Sequence, residues 1–236
     1  DPGYIAGGTA EFRQRTQLGG PLFAFYGYET TGVYQNQAQI EADPAVTSAD
    51  VVPGDLIYKD QNGDNIIDDD DRVIIGSILP DFTFGGNVGV DYRNWGFSMN
   101  FYGQIGNQIL NRKRGEVIFT NDTNMDADLA INRWHGEGTS NTYPSSAGLR
   151  KGWNQRLSNF WVEDGDFFRI QNIQLSYTIL GDKLGGNMPD TKLTLTAERP
   201  FTFFDYNGFN PEVPDGVDRQ TYPVPAVYTL GVNVKF

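Results

Sequence analysis

The last ten residues of the chain, 227–236, alternate between apolar and mostly polar side chains. The apolar positions are Tyr228, Leu230, Val232, Val234 and Phe236. Successive side chains of a β-strand point to opposite faces, so the pattern predicts a strand with one apolar and one mostly polar face. Strands of about ten residues with this character build transmembrane barrels. The segment therefore favours a closing barrel strand.

Five earlier segments are also rich in aromatic and β-branched residues, and they predict further strands. Residues 93–94 are expected to form a tight turn that joins two of these strands into a hairpin. With the final strand, the sequence predicts about six antiparallel strands. The five earlier segments are 21–34, 82–92, 95–104, 167–180 and 191–204.

The connections between the predicted strands alternate in length. Residues 93–94 and 181–190 are short, whereas 35–81, 105–165 and 205–225 are long. Bacterial outer-membrane barrels have short periplasmic turns and longer extracellular loops. The alternation predicts an all-β fold, an antiparallel transmembrane β-barrel segment with extracellular loops at 35–81 and 105–165. A soluble Greek-key sandwich is the alternative.

Aromatic residues of the predicted strands fall near both ends of the barrel wall. Such girdles at the two membrane interfaces are typical of outer-membrane barrels. The outer set is Phe82, Phe84, Phe167, Phe201, Phe203 and Tyr228, and the inner set is Tyr92, Trp95, Tyr177 and Phe236.

Polar residues of the same strands are expected to face the barrel lumen, because they alternate with the apolar ones. The predicted lumen-facing residues are Asn87, Asn100, Gln174, Thr196 and Asn233.

Composition excludes several classes of protein. No run approaches the roughly 18 apolar residues of a spanning helix. A net charge of -12 argues against a nucleic-acid partner. The absence of cysteine removes disulfides and thiolate catalysis. The beginning at Asp1 is expected to result from processing or truncation.

Residues 60–71 follow the spacing of a calcium-binding loop. The sixth position holds Asn65 instead of glycine, and asparagine tolerates the left-handed conformation required there. A bound Ca²⁺ would have a structural role in an external loop. The alternative is a solvated acidic turn stabilised by Asx hydrogen bonds. The predicted ligands are Asp60, Asn62, Asp64, Ile66 (through its carbonyl oxygen), Asp68 and Asp71.

The long segment 105–165 carries four aromatic residues and a basic run. The aromatic rings could stack on sugar rings or pack the loop against its neighbours, and the run 112–114 could contact lipopolysaccharide phosphates or be solvated. A short helix is expected between about 125 and 134. The candidate substrate-binding residues are Trp134, Tyr143, Trp153 and Trp161.

An enzymatic function is not expected. Glu163, Asp164 and Asp166 are close in sequence, as paired catalytic carboxylates can be, but acidic residues at the start of a strand are more often solvated. His135 is the only histidine, and a loop position without catalytic partners is the simpler interpretation.

Several runs, taken in order, resemble the SusC/RagA family of TonB-dependent outer-membrane transporters of Bacteroidota. They are FYGY (25–28), GVYQ (32–35), PGDLIYKDQNGD (53–64), DRVIIG (71–76), PDFTFGGN (80–87), VEDGDFFRIQNI (162–173), PFTF (200–203), YPVP (222–225) and YTLGVNVKF (228–236). The resemblance covers nearly all of the chain after about residue 20.

The resemblance implies about the last six strands of a 22-stranded barrel. It also implies a plug and a TonB-contacting segment, neither found in residues 1–236, and a SusD-like lipoprotein that caps the barrel. The implied function is TonB-dependent import of a glycan or peptide across the outer membrane, in contact with lipid and lipopolysaccharide. The alternative from another class is a secreted, calcium-stiffened β-sandwich that binds carbohydrate.

Overall fold

The computed structural model describes residues 4–8, 13–111, 126–146, 152–184, 189–219 and 221–235. The predicted basic run 112–114 and the terminal Phe236 lie outside these residues. The chain divides into two compact units. The strand unit comprises residues 80–106, 165–211 and 222–236, and the loop unit comprises 1–79, 107–164 and 212–221.

The strand unit contains one five-stranded antiparallel sheet, which includes five of the six predicted strands. In chain order they are β7 (Phe82–Tyr92), β8 (Trp95–Ile105), β11 (Phe167–Ile179), β12 (Asp190–Phe204) and β14 (Val227–Lys235). Their order across the sheet is β14-β12-β11-β8-β7. The prediction of long antiparallel strands is confirmed for these five segments.

The predicted hairpin at 93–94 is present, and Tyr92 lies opposite Trp95. Arg93 has a φ of 55°, a left-handed conformation that tight hairpin turns require. The turn is tied to β11 because the Asn94 side-chain amide donates to the Thr178 carbonyl at 2.6 Å. The short connections join strands at this end of the sheet, and the long ones begin and end at the other.

A β-bulge in β11 changes which side chains share a face. The pairing with β8 shifts between Ile170 and Asn172, so residues before the bulge have the opposite alternation from those after it. Phe167 lies opposite Gln104 and is 4% exposed. The prediction that Phe167 belongs to the outer aromatic girdle is therefore wrong, because Phe168 occupies the apolar face instead.

The described residues of the loop unit form nine short strands. They are β1 (Tyr4–Gly8), β2 (Arg13–Gln17), β3 (Ala24–Gly27), β4 (Thr30–Val33), β5 (Leu56–Tyr58), β6 (Val73–Gly76), β9 (Gln108–Asn111), β10 (Val162–Asp164) and β13 (Val217–Asp218). One sheet has the order β1-β2-β3-β6, a second has β10-β9-β13, and β4 pairs with β5.

The predicted strand 21–34 is not continuous. It is divided into β3, which pairs with β2 and β6, and β4, which pairs with β5. The long segments 35–81 and 105–165 are more ordered than their polar composition suggests. They build apolar clusters, one around Phe25, Leu110 and Trp161.

Two helices of six residues occur among the described residues, α1 (Gln37–Ala42) and α2 (Ala127–Asn132). The second confirms the short helix expected between 125 and 134. Asn36 and Asp126 cap the two N-termini through their side chains. Neither helix has the length and apolar character needed to cross a membrane.

Candidate functional site

One face of the five-stranded sheet is apolar, and many of its large side chains are exposed. Soluble monomers rarely expose a contiguous apolar surface of this kind. The described residues of the strand unit provide no second sheet to cover it, so the sandwich alternative is not supported. The exposed residues of this face are Phe82, Val88, Val90, Tyr92, Trp95, Phe97, Ile105, Leu175, Leu193, Leu195, Phe201, Phe203, Tyr228, Leu230, Val232 and Val234.

Aromatic rings lie near both ends of this apolar face. At the end with the long connections, Phe168 stacks against Phe84 and Phe203 with centroid separations of 6.2 Å each. At the turn end, Trp95 and Tyr177 are 4.7 Å apart. Because of the bulge in β11, the span between these rings is counted along β8, where Gly103 lies opposite Phe168 and Trp95 lies opposite Tyr177. The eight residue steps between Gly103 and Trp95 are ~26 Å of strand at ~3.3 Å per residue. A strand tilt of ~40° reduces this to ~20 Å, within about 5 Å of the ~25 Å apolar band of outer-membrane barrels.

The five predicted lumen-facing residues share the opposite, polar face. Asn87 lies directly opposite Asn100, and Gln174 lies opposite Thr196, to which its side-chain amide donates at 3.3 Å. Asn233 faces Lys192 of β12. The side chains are thus placed together on the face away from the exposed apolar one, and their role in lining a lumen stays a prediction.

The acidic loop has the backbone turns that its sequence predicts. Asp60 accepts hydrogen bonds from the backbone N–H groups of Gly63 at 2.6 Å and Asn65 at 2.8 Å. Asn65 has a φ of 64°, the left-handed conformation expected at this position. These backbone hydrogen bonds, of which the one from Asn65 has the largest effect, hold the pKa of the Asp60 carboxyl below its usual range. Asp60 therefore stays ionised at neutral pH.

Asp71 stabilises the loop by accepting hydrogen bonds from two of its backbone N–H groups. It is fully buried, and its two carboxylate oxygens accept from the N–H groups of Gln61 and Asp68, each at 2.8 Å. Asn62 and Asp64 make Asx turns with the residues two positions on. The Ile66 side chain is 48% exposed.

The carboxylates of Asp60, Asp64 and Asp71 accept hydrogen bonds from backbone N–H groups of the same loop. Among the described residues, no three histidine, cysteine, aspartate or glutamate side chains are grouped to hold a metal ion. Calcium binding at Asp60, Asn62, Asp64, Ile66, Asp68 and Asp71 therefore stays a prediction.

Three of the four aromatic substrate-binding candidates contribute to the packing of the loop unit. Trp161 is 5% exposed within an apolar cluster, so its ring cannot stack on a sugar. Trp134 packs so closely on Gly54 that a Cβ there would lie 2.6 Å from the ring. Trp153 donates its indole N–H to the Leu56 carbonyl at 2.8 Å.

The fourth candidate, Tyr143, lines a cleft of about 480 Å³ in the loop unit. The size falls within the range of small-ligand sites. Its hydroxyl donates to Asp128 at 2.9 Å, which fixes the ring. The other lining residues are Thr30, Thr31, Gly32, Asn141, Thr142, Asn159, Phe160, Val162 and Glu163. Tyr143 and Glu163 are the two members of this set that the sequence analysis names. The others carry no local sequence signal, because the set comes from three separate segments of the chain.

The potential catalytic residues have other partners. Glu163 accepts from the Asn111 side-chain amide at 2.9 Å, and Asp166 accepts from the Gly106 N–H at 2.6 Å. The Nδ1 atom of His135 lies 3.1 Å from the Arg133 carbonyl oxygen. These contacts position backbone and side chains and do not assemble a nucleophile with a base.

Curated relatives of the chain are named TonB-dependent receptors. "TonB-dependent receptor P3" of Formosa agariphila is 31% identical over an alignment of 250 positions, which covers 99% of this chain and 24% of that protein. "TonB-dependent receptor SusC" of Bacteroides thetaiotaomicron is 24% identical over 192 residues, covering 78% of this chain and 18% of that protein. The chain thus spans about a quarter or less of the length of these relatives. No protein-family model matches it.

A solved structure shares the fold. The RagAB peptide importer in its open-open state matches with a TM-score of 0.73 and 20% identity, over 99% of this chain and 24% of that one. Long antiparallel strands with an exposed, aromatic-bordered apolar face are typical of proteins that cross a membrane with strands. The chain is similar to the TonB-dependent receptors over most of its length and shares its fold with RagAB; these relatives are outer-membrane proteins and not enzymes.

Proposed function

We propose that this chain forms part of an outer-membrane importer that is energised through TonB and takes up a glycan or a peptide. The observation that carries the proposal is the exposed apolar face of the five-stranded sheet, with aromatic rings at both ends and polar residues on the other face. Lipid would cover the apolar face, and the polar face would line the import passage.

The edges of this sheet indicate how the barrel is completed. In the part of the chain that the structure describes, β7 and β14 each pair along one side only. An unpaired strand edge in lipid costs several kcal/mol for each unsatisfied polar group. We therefore assign these edges to pairing with the remaining barrel strands, around a plug, as the family resemblance implies.

The loop unit is assigned to the extracellular side, where a SusD-like lipoprotein would cover it. The long connections all leave the sheet at one end, and in outer-membrane barrels that end is extracellular. Apolar side chains exposed in this unit support contact with another protein. They include Leu18, Leu22, Phe23 and Ile131, which are 101%, 53%, 54% and 76% exposed.

Uptake measurements test this function. Cells that produce the complete transporter and its lipoprotein are supplied with fluorescent glycans or peptides, with and without a functional TonB. We expect accumulation in the periplasm that requires TonB, the lipoprotein and the proton gradient. Accumulation that persists without TonB would contradict energised import.

A further inference from the structure

A second cleft of the loop unit, the Arg156 cleft, has a volume of about 440 Å³. Its lining includes Ser48, Asp50, Trp153 and Arg156. The Arg156 guanidinium makes one hydrogen bond, from Nη1 to the Ile67 carbonyl oxygen at 3.1 Å. No carboxylate of the described residues forms an ion pair with it. The cleft is therefore bordered by a cation whose charge these residues leave uncompensated.

Arg72 of the same unit shows the more usual arrangement. Its guanidinium pairs with Asp69 at 2.7 Å and lies 5.0 Å from the centre of the Tyr28 ring. Arg156 lies near the same ring, at 5.3 Å, but it has no corresponding carboxylate. The two arginines share an aromatic neighbour and differ in their counter-ion, so the aromatic contact alone does not account for the charge of Arg156.

Three aromatic rings hold the Arg156 guanidinium in place. It lies 4.6 Å from the centre of the Trp153 ring, with Tyr28 and Tyr58 at 5.3 and 5.7 Å, and aromatic faces attract a cation at such distances. The rings themselves are fixed, because the Tyr58 hydroxyl donates to the Trp153 carbonyl at 2.8 Å and the Trp153 indole donates to the Leu56 carbonyl at 2.8 Å. A cation positioned before the ligand arrives reduces the ordering cost of binding.

The guanidinium keeps the donors that recognise a planar anion. Arginine carries five N–H groups in a rigid fork. With Nη1 donating to Ile67, the edge formed by the Nε and Nη2 groups has no acceptor among the described residues. The side chain is partly exposed. Such an edge donates two parallel hydrogen bonds to the two oxygens of a carboxylate.

The remaining lining residues favour an anion of low charge. The Ser48 hydroxyl accepts from the Asp50 N–H at 3.3 Å and keeps its own hydrogen for another acceptor. Asp50 also lines the cleft and has an interaction of its own, but no ion pair joins it to Arg156. Its negative charge makes a polyanion unfavourable. A single carboxylate group fits one cation and one hydroxyl donor better.

We propose that the Arg156 cleft binds one carboxylate group of the imported molecule, through paired hydrogen bonds from the Arg156 guanidinium. The proposal rests on the import function proposed above and specifies a chemical group of its substrate. A uronic acid supplies this group if the substrate is a glycan, and an acidic side chain or the chain end supplies it if the substrate is a peptide.

Calorimetric titration of the complete transporter in mild detergent tests the site. The probes form two pairs whose members differ at one carboxylate: cellobiouronic acid with cellobiose, and N-acetyl-tetra-alanine with its C-terminal amide. At neutral pH, the carboxylate member of at least one pair should bind about tenfold or more tightly than its neutral counterpart. A preference in the first pair alone identifies a uronic acid, and a preference in the second pair alone identifies a peptide.

Substitutions of Arg156 separate its charge from its fork of donors. Arg156→Gln removes the charge and should abolish the preference. Arg156→Lys keeps the charge and the aromatic contacts but lacks the paired donors, so the preference should fall at least about threefold. Arg219→Gln is the control, because it removes a cation that already pairs with Asp215 at 2.7 Å, and it should keep the preference. Thermal unfolding shows whether each variant folds, and Arg156→Lys decides the test if Arg156→Gln does not.

The site is overturned if neither pair shows a preference, if the preference survives unchanged in folded Arg156 variants, or if Arg219→Gln reduces it to the same extent. Uptake measured in the same cells, with and without TonB, separates this result from the import function. Uptake that requires TonB, combined with binding that ignores the carboxylate, refutes the site alone. Uptake that does not require TonB refutes the import function.

Discussion

The substitution Val88→Arg places a charge at the middle of the exposed apolar face. Val88 is 43% exposed and lies four residues from both Phe84 and Tyr92 on β7. If lipid covers this face, an arginine here enters the hydrocarbon and costs about 2–4 kcal/mol, which is about thirty- to a thousandfold in the folding equilibrium. If water covers it, an exposed substitution changes stability by only about 0.5 kcal/mol.

The neighbouring substitution Asn87→Arg is the matched control. Asn87 is on the same strand and is also exposed, but it lies on the polar face opposite Asn100. Both variants introduce the same charge on the same strand. Val88→Arg also replaces a residue of higher strand propensity, but that scale spans only about 1 kcal/mol, which is less than the expected cost in lipid. We expect Asn87→Arg to assemble almost as well as the unchanged protein.

The assay measures the fraction of transporter that reaches the outer membrane in a folded form, by heat-dependent gel mobility, and its thermal unfolding in lipid nanodiscs. Val88→Arg should reduce the folded fraction strongly and lower the unfolding temperature. If both variants fold normally, or if both lose folding to the same extent, the assignment of the apolar face to lipid is refuted.

Three further predictions concern packing and the acidic loop. Gly103→Ala should destabilise the sheet by about 1–3 kcal/mol in thermal unfolding. The new Cβ would lie 2.5 Å from a ring carbon of Phe84 on the neighbouring strand. Gly89→Ala is the control and should be neutral, because the atom nearest to its new Cβ would be 4.0 Å away. Asp71→Asn should increase proteolysis of the loop more than Asp70→Asn does. The single amide oxygen of asparagine cannot replace both carboxylate oxygens of Asp71, which accept from Gln61 and Asp68. The lost hydrogen bond should destabilise the loop by about 1–3 kcal/mol. Calcium at about 1 mM should protect residues 60–71 from protease, and protection equal to that in chelator would contradict a bound cation.

The acidic loop also has a predicted pH dependence. The folded-state pKa of Asp60 is lowered, so its contribution is present above the unfolded pKa and is lost as pH falls through the folded one. We expect the loop to become protease-sensitive only below the ordinary aspartate range, measured with an acid-stable protease. Sensitivity that begins near pH 6 would contradict this assignment.

The sequence predicted the strand unit well because its signals are local. Alternation with period two and a two-residue turn at Arg93 fix the faces and the hairpin without knowledge of distant residues. The exception is the bulge between Ile170 and Asn172, which exchanges the positions of Phe167 and Phe168. A single inserted residue reverses the alternation, and nothing in the apolar pattern marks where it occurs.

The loop unit was predicted poorly because long-range contacts define it. The segment 21–34 has the composition of one strand, but β3 pairs with β6 and β4 with β5, which divides it. Trp161 has a ring that could stack on a ligand, but packing against distant residues buries it. The cleft that Tyr143 lines brings Thr31 together with Asn141 and Asn159, which lie more than a hundred positions later in the chain. The orientation of the two asparagine amides depends on their hydrogen bonds to β4.

The most direct test of the account is the lipid exposure of single side chains. The chain contains no cysteine, so cysteines can be introduced singly at Val88, Leu195 and Leu230 on the apolar face and at Asn87 and Thr229 on the polar face. Each is labelled with a fluorophore and reconstituted in bilayers of brominated lipid. We predict strong quenching at the first three positions and little at the other two. Equal quenching on both faces, or none on the apolar face, would contradict a membrane-spanning sheet.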